Sequence, residues 1–185
     1  MTNTNILETK RLILRPWQAE DAEDLYRYAK NPLIGPAAGW KPHFSVNNSR
    51  QIILDYLSVA ETYAVVLKNV QHPVGSISLK NGKQSTLVKA ADEAEIGYWI
   101  AQPFWGQGLM PEAVEKIMQH AFADLKLQKL WGGYYDGNDR SRRVLQKCGM
   151  VYEYSQKKYV TALDEERIEH IFSLTKDKWI TAKRG

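Results

Sequence analysis

Gly106-Gln107-Gly108 stands directly before a segment, Leu109 to Leu125, whose apolar residues recur at helical spacing. The first N–H groups of a helix have no partner inside it and carry the positive end of its dipole. A glycine beside them leaves no Cβ in the way of an anion. Such a stretch can hold a phosphate or pyrophosphate, or it can be a bare strand-to-helix turn. Two familiar phosphate loops do not fit it. Leu109-Met110 follows Gly108 where a P-loop has Lys and then Ser or Thr, and Pro111 takes the place of the third glycine of a dinucleotide fingerprint.

Two more side chains have the type and setting for proton transfer. From Glu93 to Ile100 the chain alternates: Ala94, Ile96, Tyr98 and Ile100 share one face, and Glu93, Glu95, Gly97 and Trp99 share the other. Glu95 therefore lies on the face of Trp99; next to Glu93 it also reads as a plain surface carboxylate. If Asp139 to Lys147 is a helix, Ser141, Val144, Leu145 and Cys148 share a face. Three of these are apolar, so the Ser141 hydroxyl turns inward and needs a partner. A serine in a first helical turn also bonds neighbouring backbone groups. Cys148, on the same face, reads as a packing residue, because no base stands beside it for a covalent route.

These residues need elements to carry them. A strand at Leu12 to Arg15 is followed by a helix from Ala19 to Lys30, with Glu20, Asp21, Glu23 and Asp24 near its positive end. Asn31-Pro32 stops it, and Gly35 to His43 is too rich in Gly and Pro for helix or strand. Ser45 caps a second helix reaching about Leu57. Strands follow at Thr62 to Leu67, Val74 to Leu79 and Glu93 to Ile100. The apolar stripe Met110, Ala113, Val114, Ile117, Met118, Ala121, Phe122 and Leu125 marks the longest helix. Next come a strand from Lys129 to Tyr134 and the Asp139 to Lys147 helix, ended by Gly149. Strands near Val151 to Tyr154 and Arg167 to Leu174 precede a short tail helix, Thr175 to Lys183. Helices interleaved with strands imply an α/β sandwich around a mixed sheet.

At 185 residues, with 44% hydrophobic and 25% charged side chains, one globular domain over residues 1–185 is expected. No repeat or linker divides the chain. The single Cys148 excludes an internal disulfide and a cysteine zinc cluster. No run is apolar enough for a bilayer, and Met1 to Asn5 lacks the basic and apolar regions of a signal peptide. A cytoplasmic protein with no membrane partner is expected. The net charge of +4 is spread over scattered Lys and Arg, so direct nucleic-acid binding is not expected.

Four stretches in order resemble the GNAT superfamily of N-acetyltransferases, in its RimJ/RimL-type branch. Glu8 to Pro16 is similar to that branch's opening strand, and Glu95 to Ile100 to its central strand. Trp105-Gly106-Gln107-Gly108, followed by Glu112-Ala113, resembles its acetyl-CoA loop, with Trp105 and Met110 departing from the general motif. Asn138 to Ser141, then Leu145, Lys147 and Gly149, resembles its later Asn-x-x-Ser segment. The resemblance implies the GNAT fold, a mixed, mostly antiparallel central sheet flanked by helices.

It also implies roles. Main-chain N–H groups of Trp99, Ile100 and Ala101 would bind the thioester and pantetheine of acetyl-CoA, and those of Trp105, Gly106, Gln107, Gly108, Leu109 and Met110 its pyrophosphate. Glu95 would accept the amine proton. Ser141 would contact the cosubstrate and protonate the departing sulfur, because Leu145 fills the slot where many relatives keep a tyrosine acid. Asn138 would contact the pantetheine arm or cap its helix, and of Arg142, Arg143 and Lys147 one or two would reach phosphates, Arg143 foremost. Trp40 and His43 would line the acceptor pocket. No metal is implied.

The expected reaction is acetyl transfer to an amine within a ternary complex. A protein α-amine, of pKa about 7.7–8.0, is easier to deprotonate than a lysine near 10.4 by roughly 3.3 kcal/mol. A single Glu base suits the easier amine, and the branch points to a ribosomal protein N-terminus. A small amine such as a polyamine, metabolite or antibiotic is the alternative acceptor. A CoA-binding regulatory module without catalysis is the alternative from another class. Monomer and homodimer are both open.

Overall fold

The computed structural model describes residues 5–184, so the polar start Met1 to Thr4 lies outside the described residues. Eight strands are hydrogen-bonded in the order β1-β2-β3-β4-β5-β6-β8-β7. The β1–β2, β2–β3, β3–β4, β6–β8 and β7–β8 pairs are antiparallel, and β5–β6 is parallel. The fold is thus α/β on a mixed, mostly antiparallel sheet. Contacts gather into two compact units: the chain up to Ser78 with Tyr98–Ala113, and Leu79–Gly97 with Val114 onward.

The first unit opens with β1 (Leu7–Glu8) and β2 (Leu12–Arg15). A single 3-10 turn, Ala19–Asp21, leads into α1 (Ala22–Ala29). Asp21 anchors that entry: its carboxylate accepts two bonds of 2.7 Å from Arg15 and one of 2.9 Å from the Gln18 N–H. The stretch expected to be loop contains a short helix, α2 (Gly35–Ala38). Its composition hid it, because Pro36 sits in the first turn, where proline is tolerated. Gly39 ends it at φ 89, in the left-handed region. Ser45 caps α3 (Val46–Ile52), its hydroxyl accepting from the Asn48 N–H, and a wider π turn continues to Leu57. β3 (Thr62–Leu67) pairs with β4 (Pro73–Lys80). Trp17, Ala22, Leu25, Ala29, Ile53, Ala64 and Val66 form its core, with Trp40 and Trp99 packed against it.

The second unit holds the start of β5 (Glu93–Ile100) against β6 (Lys129–Tyr135). β7 (Val151–Val160) and β8 (Glu165–Thr175) form a long hairpin with β8 on β6. β7 runs six residues beyond the expected Tyr154. It is the edge strand, and its half-buried positions include Gln156 and Lys158, which cover the sheet with their stems and erase the apolar alternation. α5 (Asp139–Lys147) ends at Gly149, φ +78, and α6 (Lys176–Arg184) closes the chain.

α4 (Leu109–Gln119) passes through both units and continues as a π turn to Asp124. The stripe from Met110 to Phe122 is buried, but Leu125 is exposed. The cause is the i→i+5 bond from the Leu125 N–H to the His120 carbonyl, which rotates Leu125 off the stripe.

Candidate functional site

In the first unit, the end of β5 runs into the glycine loop. The Ala101 N–H donates to the Val74 carbonyl of β4 at 2.8 Å. A Cβ on Gly75 would stand 2.4 Å from the Trp99 carbonyl oxygen, so that oxygen also faces β4. Backbone groups alternate in direction along a strand. Ile100 therefore turns away from β4, and its carbonyl accepts the Trp105 indole N–H at 2.8 Å. Of the three main-chain N–H groups expected to meet a thioester, that of Ala101 is held by Val74 and that of Ile100 points away from β4.

A 3-10 turn, Gln102–Phe104, takes the chain round. The Trp105 N–H donates to the Gln102 carbonyl at 3.1 Å, so it does not head the expected phosphate donors; the loop's offer narrows to Gly106 through Met110. Gly106 and Gly108 have φ +74 and +71, which only glycine adopts cheaply. A Cβ at Gly106 would meet nothing within 4 Å. Conformation and open space, not crowding, account for that glycine.

The loop is clamped from β2. Arg11 Nη1 donates to the Gln107 carbonyl at 2.9 Å, and across the planar trans peptide this turns the Gly108 N–H the opposite way. Arg11 also bonds Glu112 through its backbone N–H at 2.8 Å and its Nε at 2.7 Å. The Thr9 hydroxyl adds a bond of 2.6 Å. Burial pushes the Glu112 carboxyl up, but these bonds and the Arg11 charge hold it below the usual carboxylate range. Glu112, read from sequence only as a branch mark, is the pin of the loop.

Trp40, His43 and Trp99 gather in this unit. Trp40 meets Trp99 edge-on at 6.0 Å and the His43 ring at 5.2 Å. His43 is 7% exposed, its Nδ1 is 2.8 Å from the Ser49 hydroxyl, and its N–H donates to Ala29. Burial lowers its pKa to about 4. It is a neutral hydrogen-bonding ring at physiological pH, unsuited to carry a proton.

In the second unit, β5 pairs with β6 over Glu93–Ile96 against Lys129–Gly132, half of its length. Glu93 is engaged through Oε2, which accepts from the Trp131 indole at 2.8 Å and the Lys89 N–H at 3.0 Å. Burial opposes these bonds, but they and Lys129 leave its pKa lowered. Glu95 is only 15% exposed and makes a looser ion pair with Lys80 at 3.6 Å. Register places Glu95 beside Trp131, on the sheet face that also carries Tyr135 and Glu169. Burial raises the Tyr135 hydroxyl, and the Glu169 and Glu95 carboxylates add to it against Lys158 and Arg167. Burial alone would lower Lys158, but its 2.8 Å bond to Glu169, with Tyr135 and Glu95, raises it. Tyr135, Lys158 and Glu169 were missed from sequence, because only strand register reveals that they surround Glu95.

On α5, Asn138 caps the helix, its side chain accepting the Ser141 N–H at 3.2 Å. Ser141 is half-buried, so the expected inward turn is partial. Leu145, in the tyrosine slot, is buried against Gly132, where a Cβ would lie 2.8 Å from its Cδ2. Arg143 is exposed, whereas Arg142 carries the one buried side-chain nitrogen without a partner among the described residues, its Nε. Its Nη2 pairs with Asp139 at 2.9 Å. An orphaned guanidinium donor of this kind suits a phosphate-bearing ligand. Cys148 is buried and pushed up to about 12, first by burial and then by Glu115.

Among the described residues no group of three or more His, Cys, Asp or Glu could hold a metal ion, and no helix is long and apolar enough to cross a membrane.

The family described as the acetyltransferase (GNAT) domain matches residues 11–151. The uncharacterized N-acetyltransferase p20 of Bacillus licheniformis is 28% identical over 167 residues, covering 82% of this chain and 88% of that protein. Among solved structures, RimJ of Mycobacterium smegmatis in complex with CoA-disulfide has a TM-score of 0.77 at 21% identity, covering 98% of this chain and 96% of that one. The ribosomal-protein-S5-alanine acetyltransferase from Vibrio fischeri has a TM-score of 0.70 at 23% identity, covering 95% and 98%. These two establish the fold, with the mixed sheet flanked by helices.

Proposed function

The chain belongs to the GNAT acetyltransferase family, and we propose that this acetyl-CoA-dependent N-acetyltransferase acts on the α-amine of a protein N-terminus, a ribosomal protein's foremost. We take residues 1–185 as one acetyltransferase domain working in the cytoplasm.

The residues present suit acetyl-CoA. The open, positive-φ Gly106 and Gly108 lead into α4, and Arg142 Nε is an orphaned donor. Gly106 to Met110 would hold the pyrophosphate by main-chain N–H groups. When bound, acetyl-CoA supplies an acetyl thioester. The Ile100 N–H would polarise its carbonyl. Glu95 would take the amine proton, directly or through water, and the Ser141 hydroxyl would give a proton to the sulfur. Asn138 keeps Ser141 in place by capping its turn. Trp40 and Trp99 would form an aromatic wall for the acceptor, with neutral His43 as a hydrogen-bonding member.

One observation carries the choice of acceptor: Glu95 is paired with Lys80. A single carboxylate that is already paired suits an amine of pKa about 8 better than a lysine near 10.4, which is harder to deprotonate by roughly 3.3 kcal/mol. The Vibrio fischeri neighbour, a ribosomal-protein-S5-alanine acetyltransferase, supports a ribosomal-protein acceptor. Mass spectrometry of a cell extract treated with this protein and labelled acetyl-CoA tests the reading. Label on protein N-termini is expected; label confined to small amines would overturn it in favour of a metabolite acceptor. Buried Leu145 in the tyrosine slot favours a second reading, a CoA-binding module without turnover. Thiol release with any acceptor would exclude that module.

A further inference from the structure

Ser155, His170 and Asp136 form a hydrogen-bonded line on the β7–β8 hairpin, inside the second unit. The Ser155 hydroxyl lies 2.7 Å from His170 Nδ1, and His170 Nε2 lies 3.0 Å from an Asp136 carboxylate oxygen. The Tyr152 hydroxyl lies 2.9 Å from that of Ser155. We propose that Ser155 is an acyl-accepting nucleophile, driven by His170 as base and oriented by Asp136, that takes acyl groups from activated esters or thioesters at a site separate from the amine-acetylating residues.

The proton positions follow from the partners. An ionised carboxylate only accepts, so His170 Nε2 must carry the proton it shares with Asp136. In the neutral ring Nδ1 is then the acceptor, and Ser155 must donate to it. With its own proton committed, the Ser155 oxygen accepts from Tyr152. A serine hydroxyl that donates to an imidazole held by a carboxylate is the arrangement nucleophilic acyl transfer requires.

The backbone builds this line in three ways. A bulge between Tyr152 and Tyr154 shifts the β7 register, so Ser155 rather than Tyr154 pairs with His170 across the hairpin. The Asp136 N–H is tied to the Ile168 carbonyl at 2.9 Å, and the Asn138 N–H closes the turn onto Tyr135 at 3.0 Å. The Tyr134 ring lies 4.8 Å from the His170 ring at 32°, which fixes the imidazole plane. Ser155 is exposed and His170 half-buried, so an ester can reach the hydroxyl while the base stays partly shielded.

In the reaction the Ser155 oxygen bonds to the acyl carbon as its proton passes to His170 Nδ1. The carbon–oxygen bond of an ester, or the carbon–sulfur bond of a thioester, breaks, and the leaving group takes that proton. The product is O-acyl Ser155. Water, giving its proton to His170 Nδ1, then releases the carboxylic acid and restores the serine.

The test incubates the full-length protein with p-nitrophenyl acetate or with acetyl-CoA, without any amine acceptor. Nitrophenolate release and an acetyl-sized mass gain on the Ser155 peptide are read. Release is expected to fall about a hundredfold in Ser155→Ala and His170→Gln. Amine acetylation by both variants should be unchanged. Asp136→Asn should lower release as well. It should also move the His170 ring proton from Nε2 to Nδ1, visible in nitrogen-edited NMR, which loss of packing alone would not do. Label from both donors assigns ester and thioester chemistry to Ser155, and label from one donor alone assigns that class. Equal release from wild type and Ser155→Ala, or label on another residue only, would overturn the proposal.

Discussion

Arg11 and Glu112 are joined twice, by a backbone N–H bond of 2.8 Å and a side-chain bond of 2.7 Å, although 101 positions separate them. The pair ties the start of β2 to the first turn of α4, and the same guanidinium holds the Gln107 carbonyl. The loop's shape thus depends on a residue from the other end of its unit.

That dependence has a pH signature. The Glu112 carboxyl titrates lower folded than unfolded, so it binds fewer protons when folded. Its contribution is present above the unfolded carboxylate pKa, about 4.3, and is lost as pH falls through the depressed folded value. Glu112→Gln should therefore lose about 1.5–3 kcal/mol of stability at pH 7, as for charge-assisted bonds, melt lower there, and converge toward wild type in acid. It should also weaken acetyl-CoA binding. A melting-temperature difference that stays constant from pH 7 to 3 would remove the ion pair from the account.

The Gly106 prediction separates conformation from space. A Cβ there meets nothing within 4 Å, yet φ is +74. Gly106→Ala should cost about 1–2 kcal/mol of left-handed strain, while Gly106→Asn, better tolerated there, should cost less. Gly75→Ala is the opposite case. Its Cβ would fall 2.4 Å from the Trp99 carbonyl oxygen, so it should cost more than either, through backbone collision. Chemical denaturation of the three variants gives the order.

His43 sets a second pH dependence. Its pKa is lowered from 6.5 to about 4 by burial, so the folded state again binds fewer protons. Stability from the neutral ring is complete above pH 6.5 and is lost as pH falls toward 4. Over that range the loss is about 3 kcal/mol. In His43→Gln the unfolding free energy should lose this slope between pH 6.5 and 4. Its acetylation pH profile near neutrality should keep its shape, because a ring that is neutral throughout adds no inflection. An inflection lost with His43 would return it to proton transfer.

How much of this was legible from the chain differs by element. The Gly106–Gly108 loop, Ser45 as cap and α5 were readable because their signals are local: a dihedral need, a hydroxyl three residues from an N–H, an apolar face. α2 was hidden because Gly35 and Pro36 usually break helices, and only their order turns them into a start. β7 was cut short because Gln156 and Lys158 bury stems, not apolar side chains. The surroundings of Glu95 were illegible for a deeper reason. Tyr135, Lys158 and Glu169 reach it through three strand pairings, and register between distant strands leaves no mark in a single sequence. The direction of Trp99, Ile100 and Ala101 depends likewise on which neighbour Ala101 bonds.

The proton-transfer roles of Ser141 and Glu95 make the last and sharpest prediction. Ser141 shares its helical turn with the Asn138 cap, whose side-chain oxygen accepts the Ser141 backbone N–H. Ser141→Ala should therefore keep the cap, fold normally and bind acetyl-CoA nearly as before, while turnover falls by about 10²–10⁴, the range of general-acid catalysis. Unchanged turnover would remove Ser141 from the reaction. Glu95→Gln keeps the size of a side chain that is 15% exposed but leaves Lys80 without its anion. As pH falls, fewer acceptor amines are neutral and a base matters more. The ratio of wild-type to variant rates should therefore grow from pH 9 to pH 6. Lys80→Met supplies the control, since it removes the cation and leaves the carboxylate in place, so turnover should persist. A flat ratio for Glu95→Gln, together with an equal loss in Lys80→Met, would mean that the pair only holds β4 to β5.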